Sequence, residues 1–329
     1  MGTHISTKRE EQGMGRREFL SGLSAVAAGS ALVLGSSCMG QGPAGADPTP
    51  PAPPLPVIRL GDHHITRLIV GSNPISGYSY MGPIMDRHMK EYFTAEQTTE
   101  FLWKCECAGI NTHQFGSPEQ MAGVFRTLRD RGSKMQFICL HAGEPTGMPI
   151  MQVVKDTEPI AIVHHGGVTD RLFRAGKSQD VHDFVKRVRD AGVLAGVSAH
   201  NPACIKQIAD EGWQVDLFMT CFYYLTRTPE EMQKMPAVAT LQIGYPFFAA
   251  DPLDMLKVVR QVEQPCLGFK ILAAGRRCHD KQSVTEAFKF AFEHLKPTDG
   301  VIVGMYPRYH DQISENAQYT RQFGTPQGA

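Results

Sequence analysis

Neither sign of charge is in excess: Lys plus Arg number 33, Asp plus Glu number 33, and the formal net charge at neutral pH is zero. No long-range field steers such a chain toward nucleic acid, whose binding depends on phosphate neutralisation, so that class of function is excluded. Long apolar runs are missing as well. The stretch from Leu23 to Leu34 falls far short of the ~20 residues a bilayer-spanning helix needs. No Gly-rich loop of the dinucleotide or phosphate-cradling type follows any candidate strand, and no named metal motif shows its spacing. Cysteines suited to pairing are absent too. Of the eight, only Cys105 and Cys107 are close in sequence, and on an expected helix their side chains point to different faces. Cys139, Cys221 and Cys266 fall in apolar runs that should be buried strands, so the thiols are expected to stay reduced, as after folding in a reducing cytosol.

What is present begins with Arg16-Arg17-Glu18-Phe19-Leu20 ahead of that short apolar stretch. This resembles a twin-arginine export signal and implies a partner, the twin-arginine export machinery, and a periplasmic or envelope-attached destination. Because that route carries folded proteins, the resemblance leaves a preloaded metal or nucleotide cofactor open. Cys38 closes Leu34-Gly35-Ser36-Ser37-Cys38, which loosely resembles a lipoprotein processing box, and a lipid there would anchor the chain. Residues 40–56 are almost wholly Gly, Pro, Ala, Asp and Thr, with seven prolines, a semi-extended tether. The expected organisation is a signal over 1–39, a linker over 40–56 and one domain over 57–329.

In that domain strand and helix signals alternate. Strands are expected at Arg67 to Gly71, Gly109 to Thr112, Met135 to Leu140, Ile160 to Val163, Leu194 to Val197, Leu217 to Thr220, Cys266 to Leu272 and Val301 to Gly304. Amphipathic helices are expected at Thr94 to Ala108, Pro118 to Arg131, Ser178 to Ala191, Pro202 to Glu211, Pro229 to Met235, Pro252 to Val262 and Ser283 to Leu295. Eight strands with helices between them predict an α/β fold, a single (β/α)8 barrel. Val57 to Ile65, turning at Gly61-Asp62, reads as an N-terminal hairpin plugging the barrel floor. Four apolar runs end in histidine: His113, His141, His164 with His165, and His200. Strand ends of a parallel barrel meet at one mouth, where barrel enzymes keep their chemistry.

Arg59-Leu60-Gly61, Leu68-Ile69-Val70-Gly71, Gly109-Ile110-Asn111, Gly196-Val197-Ser198-Ala199-His200-Asn201-Pro202 and Val301-Ile302-Val303-Gly304, taken in order, resemble the aldo-keto reductases. The resemblance implies a nicotinamide cofactor, NAD(P), with Ser198, Arg308, Gln312, Glu315 and Asn316 as its contacts. It also implies a catalytic Asp, Tyr, Lys and His, and there the sequence departs. Gln114 stands at the Asp position, Glu119 at the Tyr position and His141 at or beside the Lys position; only the His remains, as His164. Ala199 replaces the usual Asn, and the stacking Tyr expected near Ala274 is absent. Without that Tyr, hydride chemistry loses its proton donor.

Gln114, Glu119, His141 and His164, with His113, His165, His200 and Glu144 near them, make two kinds of chemistry open: acid–base work by imidazole, and a divalent metal such as Zn or Mn held by His113, His141, His164 and His200. His164 and His165 leave one strand on opposite sides, and the family placement selects His164 for the mouth. Lys270, expected inside a strand, is either paired with Glu119 or Glu144, a lowered-pKa amine, or turned toward the helices. Asn73 and Tyr223 are candidate contacts for a sugar-like substrate, Tyr223 being equally readable as core. The leading expectation is an exported barrel enzyme, metal-assisted or not, catalysing non-redox proton transfer on a carbonyl or sugar-like small molecule: a lyase, epimerase or hydratase. An NAD(P)-dependent oxidoreductase and a non-catalytic ligand-binding barrel are the alternatives.

Overall fold

A computed structural model describes residues 52–234 and 246–326. Arg16, Arg17, Cys38 and most of the tether lie outside the described residues. β1 (Val57–Leu60) and β2 (His63–Thr66) form an antiparallel hairpin. Its turn uses Gly61 at φ +57, where a side chain would also strike Leu194 at 2.9 Å. Ile58, Leu60 and Ile65 then close one end of the barrel interior, as the sequence predicts.

The barrel strands are β3 (Leu68–Gly71), β4 (Thr112–Phe115), β5 (Gln136–His141), β6 (Ala161–His164), β7 (Leu194–Ala199), β8 (Leu217–Cys221), β9 (Cys266–Phe269) and β10 (Gly300–Gly304). They pair in parallel in chain order and close between β10 and β3, which is the expected (β/α)8 barrel. The helices are α1 (Pro83–Tyr92), α2 (Ala95–Cys107), α3 (Pro118–Asp130), α4 (Ile150–Thr157), α5 (Gly166–Arg174), α6 (Ser178–Asp190), α7 (Pro202–Asp210), α8 (Pro229–Gln233), α9 (Asp251–Val259), α10 (Lys281–His294) and α11 (Gln312–Gly324). Among the described residues no helix is long and apolar enough to cross a membrane.

Two strand boundaries differ from expectation for local reasons. β4 begins at Thr112 rather than Gly109, because Gly109 (φ +94) and Ile110 turn back to cap α2 through Glu106 O and Cys105 O. β9 stops at Phe269 because Lys270 adopts φ +60 and leaves the sheet. Helices α1, α4, α5 and α11 are additional to those expected, α5 because its opening Gly166-Gly167 reads as a turn.

The packing divides into two layers. Ile69, Ile138, Val163, Met219, Leu267 and Ile302 fill the barrel with the hairpin apolar residues. Val70, Phe137, Ile162, Val197, Phe218 and Val303 face the helices. At about 1.5–3 kcal/mol per fully buried large side chain, this alternation fixes each strand's register. Buried Arg67 ties the end of α11 to the barrel: it donates to Asp299 O (2.7 Å), Gly324 O (2.6 Å) and Lys296 O (2.9 Å). Burial lowers its pKa to about 10, with Asp299 opposing the shift.

Candidate active site

Strand parity decides which histidines reach the mouth. β6 turns Ala161 and Val163 inward, so His164 points to the helices and His165 continues the inward series. His141 is paired with His164 and follows inward Leu140, so it also faces outward. His113 is paired with outward Val70 and Phe137. Three of the four histidines expected to share a ligand therefore lie in the helical layer, and only His200, two positions beyond Ser198 on the inward side of β7, belongs to the mouth.

The outward three are held in the helical layer by hydrogen bonds and ring contacts, with His113 Nε2 left buried without a partner. His113 donates from Nδ1 to Val70 O (3.0 Å) and packs against Phe115 and Phe125. His141 stacks on Phe184 of α6, donates from Nε2 to Met148 O (2.7 Å) and accepts the Gly143 N–H at Nδ1 (3.0 Å). His164 meets the same Phe184 and shares a 2.7 Å hydrogen bond with Thr169 Oγ1. Burial lowers the pKa of His113 to about 4 and of His164 to about 3, and it lowers that of His141 as well. Among the described residues no group of three or more His, Cys, Asp or Glu is placed to hold a metal, so the expected ligand set His113, His141, His164 and His200 does not form one.

The remaining expected residues scatter. Gln114 is buried, with its Nε2 donating to Phe115 O at 3.1 Å. Glu119 is exposed on the first turn of α3, where its charge acts on outward-facing Cys139 and His141. Glu144 accepts from Ile150 N (3.1 Å) and stands 3.7 Å from Arg187. Tyr223 is buried against Phe247, which favours its reading as core. Asn73 is half-buried after β3, and its carboxamide has no hydrogen-bond partner among the described residues.

The nicotinamide set is divided between two places. Ser198 is buried inside the barrel, while Arg308, Gln312, Glu315 and Asn316 lie at the junction of β10 and α11. Gln312 already accepts the Tyr306 N–H (2.6 Å), Arg308 lies 5.6 Å over the Tyr92 ring, Glu315 stands 3.5 Å from His310, and Asn316 is buried. Adenine recognition by Gln312 would require it to release its own loop.

A different group assembles at the mouth. Asp170 of α5, with 2% of its side chain exposed, lies 2.9 Å from His200 Nδ1. The same carboxylate accepts the His200 and Asn201 backbone N–H groups and the Thr226 hydroxyl. With Nδ1 held, Nε2 is the His200 nitrogen with no protein partner among the described residues. Burial lowers the His200 pKa most, the Asp170 hydrogen bond opposes this, and the Lys270 charge lowers it further. His165 falls to about 4 through burial, with His200 and Lys270 adding to the effect.

Lys270 is not inside a strand, as the sequence suggests, nor paired with Glu119 or Glu144. Its ammonium lies 4.9 Å from the Tyr80 ring centre and 4.7 Å from that of Phe269, the ring that also packs edge-on against His200. Lys270 and Tyr80 both hold left-handed backbones, φ +60 and +57, a conformation costing on the order of 1–3 kcal/mol each for such residues. The Tyr80 and Phe269 rings hold the Lys270 ammonium against that cost, and its charge acts on the His200 imidazole. Asp170 and Tyr80 escape a reading by sequence because their partners lie tens to hundreds of residues away.

No protein-family model matches the sequence, and no curated protein matches it. Solved structures of similar fold include a glycerol dehydrogenase from Gluconobacter oxydans, 12% identical over 82% of this chain and 90% of that one, with a TM-score of 0.47. They include a truncated 3-deoxy-D-arabino-heptulosonate 7-phosphate synthase from Thermotoga maritima, 13% identical over 82% and 91%, TM-score 0.44. An N-acetylmannosamine-6-phosphate 2-epimerase from Clostridium perfringens is 12% identical over 78% and 91%, TM-score 0.41. The structural neighbours are thus aldo-keto reductases and other (β/α)8-barrel enzymes, and the likeness is one of architecture.

Proposed function

We propose that this chain is an enzyme that transfers a proton at a carbon next to a carbonyl, without net redox change, on a small carbonyl or sugar-like substrate, in the manner of a lyase, epimerase or hydratase. The observation that carries the reading is the buried Asp170–His200 pair at 2.9 Å with the Lys270 charge acting on the same imidazole. Asp170 holds the tautomer protonated at Nδ1, and the lowered pKa keeps the ring neutral, so the Nε2 lone pair is available as a base at neutral pH. His200 takes the proton, the C–H electrons form a carbon–carbon double bond, and the carbonyl oxygen takes up negative charge beside the Lys270 ammonium. Asp170 then stabilises the imidazolium until the proton is returned. His200 replaces His141 and His164 in the catalytic role. In this reading the chain leaves the cytoplasm by the twin-arginine route, and residues 40–56 tether the barrel to the envelope.

The test is exchange of the α-proton of small keto acids and ketoses in deuterium oxide, followed by proton NMR. His200→Ala should slow exchange at least ~100-fold, the usual contribution of a positioned base. Exchange unchanged in that variant refutes the assignment. Reduction of aldehydes by added NAD(P)H at about 1 per second or faster would establish the oxidoreductase alternative instead.

A further inference from the structure

A cavity of about 270 Å³ lies beside the proposed base and deepens the proton-transfer reading, on which it rests, by pointing to what the substrate carries. His200 and Ala203 bound it on the side of β7 and α7, and Tyr224, Arg227, Asp251 and Asp254 bound it on the side of β8 and α9. Small-molecule sites measure roughly 300–1,000 Å³, so this room suits a compound of a few carbons.

Arg227 is the one cation bounding this cavity among the described residues. Its guanidinium forks onto Asp251, Nη1 to Oδ2 at 2.9 Å and Nη2 to Oδ1 at 2.5 Å, and donates to Tyr224 O at 3.1 Å. It also lies 4.5 Å over the Tyr224 ring and 5.3 Å over that of Phe248. These contacts use three of the five guanidinium N–H groups. Nε–H and the second N–H of Nη2 have no acceptor among the described residues. Unlike the Ser198 hydroxyl, which is sealed in, Nε keeps accessible surface. Stapling α9 to the loop after β8 needs only the carboxylate contacts, so two idle donors on a side chain with 9% exposure are left to meet an oxygen atom in the cavity.

Arg227 brings no surplus charge with those donors. Buried Asp251 cancels it, Asp254 adds a carboxylate to the same wall, ion-paired with exposed Lys257, and Lys270 does not bound the cavity. An anionic group would meet no unmatched cation there, whereas a neutral hydroxyl can accept from Arg227 and donate to Asp254. We propose that this cavity is the substrate chamber, that it takes a neutral polyhydroxylated carbonyl compound such as a short ketose, and that Arg227 receives its hydroxyl oxygens while its carbonyl end lies toward His200 and Lys270.

The experiment titrates the full-length, nitrogen-15-labelled protein with xylitol and, separately, with xylonate, its carboxylate counterpart, following the Arg227 Nε–H resonance. Xylitol should shift it saturably, and xylonate should bind at least about tenfold more weakly, because it brings a like charge to Asp254. Ala203→Leu, at an exposed position of α7, fills the cavity and should weaken xylitol about tenfold or more with an unchanged circular dichroism spectrum. Arg227→Lys keeps a cation for Asp251 but loses the idle donors, and it should weaken xylitol about tenfold, read on the Ala203 amide. In deuterium oxide, erythrulose should exchange its α-protons at least about tenfold faster than pyruvate. No shift of Arg227 Nε–H by xylitol, equal binding of xylonate, wild-type affinity in Ala203→Leu, or faster exchange of pyruvate overturns the inference. Xylitol binding by a protein that exchanges no α-proton refutes the proton-transfer reading alone. Exchange without xylitol binding refutes the chamber alone.

Discussion

Acidification should unfold this barrel through the histidines that face its helices. His113 and His164 are neutral in the fold, with pKa values lowered to about 4 and about 3, chiefly by burial. In the unfolded chain each returns to an ordinary value near 6.5. Between the two limits the unfolded state binds more protons than the folded one, so stability rises with pH across this window and is lost as pH falls below about 6.5. At pH 5 each group costs about 2 kcal/mol relative to pH 8, and the pair about 4 kcal/mol, a large part of the about 5–15 kcal/mol that holds a typical domain together. Urea titrations from pH 8 to pH 4.5 should show this loss. His113→Met removes one of these protons together with a ring nitrogen, Nε2, that is buried without a partner. It should cost about 1 kcal/mol at pH 8, for the bond to Val70 O, and flatten the acid slope by about 1.4 kcal/mol per pH unit, so that the variant overtakes wild type at about pH 5.9, where the His113 proton has cost wild type as much. Parallel stability profiles for wild type and His113→Met would show that this ring titrates alike in both states and would refute the argument.

Asp170→Asn should reverse the His200 tautomer, because the amide NH₂ then donates to Nδ1 and the ring proton moves to Nε2. Long-range proton–nitrogen correlation spectra should record the change, with α-proton exchange falling at least ~100-fold; an unaltered tautomer would disconnect Asp170 from the base. Arg67→Met should strand three carbonyl groups and cost about 3–5 kcal/mol, a fall in melting temperature of roughly 10 °C by calorimetry, and a shift under about 2 °C would show that they find other donors.

The barrel was legible because eight apolar runs recur with amphipathic helices between most of them, and because the Gly61 turn announces the hairpin. The face of each histidine was not. Parallel barrel strands are buried on both sides, so Ala161-Ile162-Val163 carries no alternation from which to tell that His164 faces out and His165 in. A placement by family position supplied a choice that the residues themselves did not, and the packing reversed it. Lys270 illustrates the complementary limit: its apolar surroundings read as strand, but a single left-handed residue ends β9 and turns the side chain onto Tyr80 and Phe269.

The partner of the base was harder still to see. Asp170 is one polar residue on a helix whose opening glycines read as a turn, and its role exists only because β7 brings His200 across 30 positions of sequence to meet it. One strand parity therefore separates two enzymes that could be drawn on this chain. With His164 inward, the mouth would keep the residue that the reductase resemblance implies. With His165 and His200 inward, it holds a carboxylate-oriented imidazole on which the Lys270 charge acts, an arrangement suited to taking a proton from a carbon next to a carbonyl.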